Sequence, residues 1–368
     1  MQNKKHKIAL VGYQLSSGGL DRVYSDLSVY LGSQNIAVHN VVFFDSISYP
    51  YSGDLIILEK MKFSSFKIIN KIKTILYLRK HLKKNDFDFV IDFRYRLNPY
   101  KELFYSYFVY NKLKTIYAVY SSKIDTYLPK NKFITKYITK NKYTIVCCAN
   151  EIKKILNEEY NIEKCEVIYC SVDINTIEKM AIENVDIDYP YIIAAGRFDK
   201  TNVKQFDKLI IAYSNSKLPK IGIHLVLLGD GILKQDFINL SIELGVNNYV
   251  HFLGFQKNPF KYFNKAKFLV LCSKYEGQGT VIIEALACKI PVVALDCVCG
   301  PSEVIENKQN GLLVENQNFE KLTEAMNLFI EDDNLYNHCK NNSVNSVSRF
   351  SIERIGKDWL ELLQINPN

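Results

Sequence analysis

Short β-branched and aliphatic runs alternate with longer helix-like segments from one end of this chain to the other. The strand-like runs cover 7–12, 38–44, 55–59, 87–93, 115–120 and 143–148 in the first half, then 191–196, 224–229, 249–254, 268–272, 291–296 and 311–314 in the second. Such alternation marks βαβ units, and hence an α/β chain with parallel sheets. At 368 residues the chain exceeds what one core usually supports, so two domains are expected. They are placed at 1–180 and 181–350, with the polar stretch 180–190 (MAIENVDIDYP) as the connection. From 319 onward the sequence reads as helix broken near Asp332 and Arg349, and a last helix in 351–368 has no strand after it.

Composition removes several classes. No run approaches the roughly 20 apolar residues of a bilayer span, and residues 1–7 lead into a strand-like stretch rather than a signal peptide's apolar core. A cytoplasmic location is the expectation. Nine cysteines lack the paired spacing of a zinc site and read as reduced, mostly buried thiols. The net charge of +8 is divided unevenly. Residues 1–150 carry 24 basic against 10 acidic side chains, +14, and the remainder −6. Most of the excess lies between Lys60 and Lys142, where lysines alternate with Tyr and Phe. That pattern fits a solvated basic face, or a surface that rests peripherally on anionic lipid headgroups. Nucleic acid is disfavoured, because no helix-turn-helix, zinc-finger or RNP-like signature accompanies the charge.

In open α/β sheets ligands sit at the carboxyl ends of strands, so chemistry is sought in the loops that leave them. The segment 273–296, SKYEGQGTVIIEALACKIPVVALD, follows the strand-like run 268–272. Two helical glutamates eight residues apart would point about 80° from each other. With the helix beginning at Thr280, Glu276 instead lies in the loop before its N-terminus and Glu284 on its second turn. The gap between them brackets the positive end of the helix dipole, and Gly277 and Gly279 let backbone approach a ligand. An anion flanked by hydroxyls, such as a nucleotide diphosphate joined to a sugar, has that shape. The plainer alternative is a loop charge and an exposed helix residue. Against it, Glu284 sits in the apolar run VIIEALAC, where an ionised carboxylate needs partners.

This segment resembles the donor-sugar region of glycosyltransferase family 4, through the Glu-x7-Glu pair Glu276 and Glu284 followed by EALACKIPVVALDCVCGPSEVI. The likeness extends through 194–213, 225–237, 250–277 and 310–316, and its wording is nearest to bacterial enzymes of lipopolysaccharide, capsule and lipid-linked glycans. It implies the GT-B fold: two Rossmann-like α/β/α domains with parallel sheets facing across a cleft, the C-terminal helix returning to the first. It also implies a retaining transferase moving a hexose or N-acetylhexosamine from a nucleotide sugar, UDP-linked, to a cell-surface or lipid-linked glycan acceptor. By that resemblance Arg197 and Lys204 bind the donor diphosphate, with Lys200 competing for the second role, and Glu276 completes the catalytic set. Gly277, Gln278, Gly279 and Thr280 contact the donor through backbone, Glu284 holds the ribose, and Gly18 and Gly19 form the first domain's glycine loop. No cofactor and no metal are expected. Asp86-x-Asp88 has a metal-binding form but reads as a polar strand start. Asp45 ends the second strand as a ribose-binding acid would, yet the spacing around Gly18 is not G-x-G-x-x-G.

Three positions depart from the family's pattern. Tyr120 stands where relatives often have His, within reach of donor sugar or acceptor; Cys170 replaces an Asn; Lys289 occupies a position usually Gly. Two further readings therefore stay open: a catalytically silent GT-B protein that binds sugar or partners an active transferase, and a nucleotide-sugar epimerase.

Overall fold

The structure is a computed structural model that describes residues 6–16, 18–61 and 65–366. The chain divides into two compact units, 1–171 with 352–368, and 172–351.

Unit 1 contains β1 (Lys7–Gly12), α1 (Gly19–Ser33), β2 (Ala37–Val42), β3 (Asp54–Ile57), α2 (Lys67–Lys84), β4 (Phe89–Asp92), α3 (Pro99–Phe104), β5 (Thr115–Val119), α4 (Lys132–Lys140), β6 (Thr144–Cys147), α5 (Asn150–Tyr160) and β7 (Cys165–Val167). Unit 2 contains α6 (Ile174–Ala181), β8 (Tyr191–Ala195), α7 (Phe206–Asn215), β9 (His224–Leu228), α8 (Lys234–Glu243), β10 (Val250–Gly254), α9 (Phe260–Lys265), β11 (Leu269–Leu271), α10 (Thr280–Ala287), β12 (Val292–Leu295), α11 (Pro301–Val304), β13 (Gly311–Val314), α12 (Phe319–Glu331) and α13 (Asp333–Val347). The chain then re-enters unit 1 as α14 (Ile352–Leu362).

Both sheets pair in parallel throughout the described residues, in the orders β3-β2-β1-β4-β5-β6-β7 and β10-β9-β8-β11-β12-β13. Central strands such as β4, β5, β6 and β12 are buried along their whole length, which is why they read as unbroken apolar runs rather than alternating ones. In unit 2 a knot of rings, Phe198 against Phe206 and Phe237 at 5.1 and 5.4 Å, packs under the sheet with Leu209, Ile210 and Leu227. Each such side chain contributes roughly 1.5–3 kcal/mol of burial.

The division falls at Ser171/Val172, earlier than the sequence placed it. The reason is α6, which packs on α9 and α10 of unit 2, so the polar stretch 180–190 lies inside unit 2 rather than between units. Asn258 ties that stretch down by donating to the Met180 carbonyl at 2.8 Å. The final helix α14 packs on α1, and Gly356 is the contact that permits it: a Cβ there would lie 2.3 Å from the Tyr30 ring.

Each sheet reverses its strand order once, between β1 and β4 in unit 1 and between β8 and β11 in unit 2. At such a switch point the two neighbouring carboxyl-end loops run in opposite directions and leave a crevice. In the second sheet those loops are 196–205 and 272–279.

Candidate functional site

The unit 2 switch point brings together residues far apart in sequence. Lys204, at the end of the loop after β8, places Nζ 2.5 Å from Glu276 Oε1, in the loop after β11. The side chains are 24% and 13% exposed, so the pair is shielded yet reachable. Ser273 donates its hydroxyl to the same carboxylate oxygen at 2.5 Å. Gly196 makes room for this arrangement, since a Cβ at that position would sit 2.8 Å from the Lys204 side chain. The backbone then staples the loops together: Lys274 N donates to Val203 O at 2.8 Å, and Cys272 Sγ to Lys204 O at 3.1 Å.

The glutamate loop ends at Gly279, whose φ of 75° puts it in the left-handed region where glycine is unstrained. Helix α10 starts directly after it at Thr280, and the cap residue has no side chain to occupy the first-turn N–H groups. A third loop, after β12, braces the glutamate loop from behind. Glu276 N donates to Val298 O at 3.3 Å, Cys299 Sγ to Gly277 O at 2.7 Å, and Gly300 lies so close that a Cβ would be 2.7 Å from the Gln278 backbone. Gln278 is buried as a result.

Glu276 and Glu284 therefore stand on either side of the α10 N-terminus, as the spacing implied. Glu284 is half-buried rather than largely buried, because its flanking Ile283 and Ala285 turn inward on the helix while it does not. Arg197 is exposed on the loop after β8. Of the two competing lysines the structure seats Lys204 against Glu276, while Lys200 is exposed. Burial pushes the Cys297 thiol up to about 12 and the Cys272 thiol further, against the opposing pull of Lys204, so both loops carry neutral thiols rather than thiolates.

Gly18, with φ 88°, caps α1, and Gly18 and Gly19 are both exposed at the carboxyl end of β1. Tyr120, expected at a substrate contact, is buried instead. It continues the apolar run of β5, packs 6.1 Å from Phe93, and its hydroxyl has no hydrogen-bond partner among the described residues. Burial raises its pKa, and the neighbouring Cys170 and Cys148 thiols raise it further, so two of the departures noted in the sequence share one pocket of the core. Lys289 takes φ 66° at the end of α10 and reaches Glu178 at 3.8 Å, which explains why glycine suits that position. Asp45 pairs with Lys60 at 2.9 Å, and Asp88 accepts from Lys7 N at 2.9 Å at the amino end of the sheet. Among the described residues there is no cluster of three or more His, Cys, Asp or Glu placed to hold a metal ion.

Sequence reasoning missed a second assembly, at the unit 1 switch point. Asp92, Arg94, Arg96 and Glu102 are all buried where β4 ends. Arg94 donates to Asp92 Oδ2 at 2.8 Å through Nη2 and to Asp92 Oδ1 at 3.0 Å through Nε, and Nη2 also reaches Glu102 Oε2 at 3.0 Å. Arg96 donates to the carbonyls of Asp92 and Ala118 at 3.0 and 2.5 Å. Burial alone would raise the Asp92 pKa, but the two guanidiniums outweigh it and hold the carboxyl below its ordinary range. The signal was present in DFRYRL, where charges recur at every second residue in the manner of an extended segment.

Residues 175–345 match the family model for glycosyl transferases group 1. The chain is 35% identical over 201 residues to the N-acetylgalactosamine-N,N'-diacetylbacillosaminyl-diphospho-undecaprenol 4-alpha-N-acetylgalactosaminyltransferase of Campylobacter jejuni, a match covering 55% of this chain and 54% of that protein. It is 32% identical to the lipopolysaccharide core biosynthesis glycosyltransferase LpsE of Rhizobium meliloti, over 49% of this chain and 51% of that one. The chain thus spans about half the length of these relatives. Among solved structures, Anabaena Alr3699/HepE in complex with UDP and glucose superposes with a TM-score of 0.78 at 17% identity, covering 98% of this chain and 99% of that one. The fold of both units is that of the GT-B glycosyltransferases.

Proposed function

We propose that this chain is a retaining glycosyltransferase of family 4 that moves a hexose or N-acetylhexosamine from a UDP-linked sugar to a cell-surface or lipid-linked glycan. One observation carries the reading. Two loops at the unit 2 switch point set the Lys204 cation against Glu276, in front of the α10 N-terminus, within the stretch that matches the family model. A diphosphate lying on the α10 N–H groups takes charge stabilisation from the helix end, from Lys204 and from Arg197. As Lys204 turns to the phosphate, Glu276 is released to accept from hexose hydroxyls, and Glu284 accepts from the ribose. The neutral thiols argue against a cysteine nucleophile. Departure of the diphosphate and attack by the acceptor then occur on one face of an oxocarbenium-like centre. The cations and helix end perform the neutralisation that a divalent ion would otherwise supply. The names of the relatives, one acting on an undecaprenol-linked diphosphate glycan and one in lipopolysaccharide core synthesis, support a lipid-linked or surface-glycan acceptor.

A membrane-facing location at the inner surface of the cytoplasmic membrane belongs to the same reading. Among the described residues no helix is long and apolar enough to cross a membrane. Unit 1 instead exposes large apolar side chains among lysines: Ile68 on α2, at 77%, and Phe133 on α4, at 88%. Tyr107 and Tyr137 stack at 5.1 Å and Arg79 covers Phe108 at 4.0 Å, which ties α2 and α4 to the aromatic segment that follows α3. Rings at headgroup depth with cations around them suit anionic lipid.

The test is calorimetric titration of the purified chain with UDP, GDP, ADP and CDP, followed by turnover of the matching nucleotide sugars. UDP is expected to bind, and Glu284→Ala to weaken it by about tenfold through loss of a ribose hydrogen bond to a charged group. Binding of none of the four, or UDP binding by Glu284→Ala equal to that of the unaltered chain, refutes the assignment. The buried Tyr120 and Cys170 favour a second reading, a silent sugar-binding GT-B protein. UDP binding without hydrolysis or transfer of any UDP-sugar would select it.

A further inference from the structure

We propose that Ser273 is a positioning residue for Glu276, its hydroxyl holding the carboxylate in place for the donor's hexose while Lys204 leaves that carboxylate for the diphosphate. The proposal rests on the transferase reading of the unit 2 site and adds to it a residue that meets the donor only through another.

Ser273 and Lys204 reach the same atom. The Ser273 hydroxyl donates to Glu276 Oε1 at 2.5 Å, and Lys204 Nζ lies 2.5 Å from that oxygen. The two donors differ in what else they can do. Lys204 is partly exposed and carries a charge that a diphosphate attracts. Ser273 has no exposed surface, so it can act on a ligand only by way of Glu276. When the lysine turns away, a shielded carboxylate loses a cation, which is unfavourable unless a donor stays behind. Ser273 is the donor that stays. Being neutral, it leaves the negative charge of Glu276 uncompensated, so hexose hydroxyls still meet an ionised acceptor.

The backbone fixes Ser273 from both sides. Before it stands Cys272, whose thiol donates to the carbonyls of Lys204 and Gln205 at 3.1 and 3.6 Å. After it stands Lys274, whose N–H donates to Val203 O at 2.8 Å. The serine is therefore pinned to the loop that supplies Lys204. The main chain of Glu276 is held by a different loop: its N–H donates to Val298 O at 3.3 Å, next to a parallel bridge between Tyr275 and Val298. With both backbones tied down, the bond between Ser273 and Glu276 sets the direction of the carboxylate. A misplacement of about 1 Å in such a group can cost on the order of 10²-fold in rate.

The test is a double-mutant cycle on the full chain, read by calorimetric affinity for UDP and for UDP-glucose, UDP-N-acetylglucosamine and UDP-N-acetylgalactosamine, which needs no acceptor. Ser273→Ala should weaken the best-bound nucleotide sugar by about tenfold, the loss of a hydrogen bond to a charged group, and slow its turnover at least as much. UDP affinity should stay within about twofold, because UDP carries no hexose to meet Glu276. In a Glu276→Ala background the same substitution should weaken the nucleotide sugar by less than about twofold, since no carboxylate remains to be positioned. A serine that only supports the loop would lower the melting point and weaken UDP and nucleotide sugar alike. That result would overturn the proposal, as would undiminished affinity and turnover in Ser273→Ala, or a full further loss in the Glu276→Ala background. Binding of UDP with none of the three nucleotide sugars taken would also overturn the positioning role, leaving the nucleotide site standing. Failure of the unaltered chain to bind UDP ends the transferase reading itself.

Discussion

The two switch points of this molecule are built on the same topology and use charge in opposite ways. In unit 2 the ion pair Lys204–Glu276 is partly open to solvent and stands in the loops before a helix N-terminus, with Ser273 donating to the same carboxylate. In unit 1 the charges Asp92, Arg94, Arg96 and Glu102 are sealed inside and hydrogen-bonded to one another and to backbone carbonyls, and Tyr95 on the same segment faces outward. A reachable pair can exchange partners with a ligand, whereas a sealed one can only hold its surroundings in place. The position of a charge relative to the surface thus separates a pair that a ligand can reach from a network that holds a strand end in place.

The sharpest way to break that comparison is Arg94→Ala. It removes the cation that buried Asp92 and Glu102 share, although Arg96 stays 3.6 Å from Asp92, a loss of about 3–5 kcal/mol in unfolding free energy. The single tryptophan, Trp359, is buried in α14 of unit 1, so urea unfolding followed by its fluorescence reports on the affected unit. A loss below about 1 kcal/mol would show that the network is not a scaffold. Lys204→Ala is the counterpart. Turnover of the UDP-sugar should fall by about 10²–10³-fold, the effect of removing one preorganised charge contact to the leaving group. Stability should change by less than about 1 kcal/mol, as for other solvent-reachable pairs. The reverse pattern, a large stability loss with turnover intact, would make the Lys204 pair structural. The smallest effect concerns the outer surfaces, +14 over residues 1–150 against −6 over the rest. Sedimentation with phosphatidylglycerol vesicles should show weak binding at low salt that fades as the Debye length shrinks, and Phe133→Ser should weaken it about fivefold. Binding that survives 1 M salt (a Debye length of about 3 Å) or that is absent at low salt returns the lysines to plain solvation.

Much of this was legible in the sequence because parallel strands, buried on both faces, announce themselves as apolar runs. Twelve of the thirteen strands in the described residues coincide with the runs read there, and β7 escaped because three residues, CEV, make no run. The loops at the unit 2 switch point were legible because glycines and glutamates at a strand end have few other uses. The bond between Lys204 and Glu276 was not, since 72 residues separate them and only the pairing of β8 with β11 brings their loops together. The network around Arg94 was hidden for a different reason. Charged residues at a strand end look like the approach to solvent, and only packing by Tyr105 and Tyr110, from beyond α3, turns that end inward. Tyr120 was misplaced by the same ambiguity in the opposite direction.

Unit 1 takes its first core residues from the start of the chain and its last from α14, after the whole of unit 2 has been made. On the ribosome, therefore, the α1 face that receives Trp359 and Gly356 stays bare through synthesis of the intervening 180 residues, 172–351. A nonsense codon in the final stretch would spare unit 2 and strip a wall from unit 1, yielding a nascent product whose exposed apolar seam is bait for chaperones and proteases.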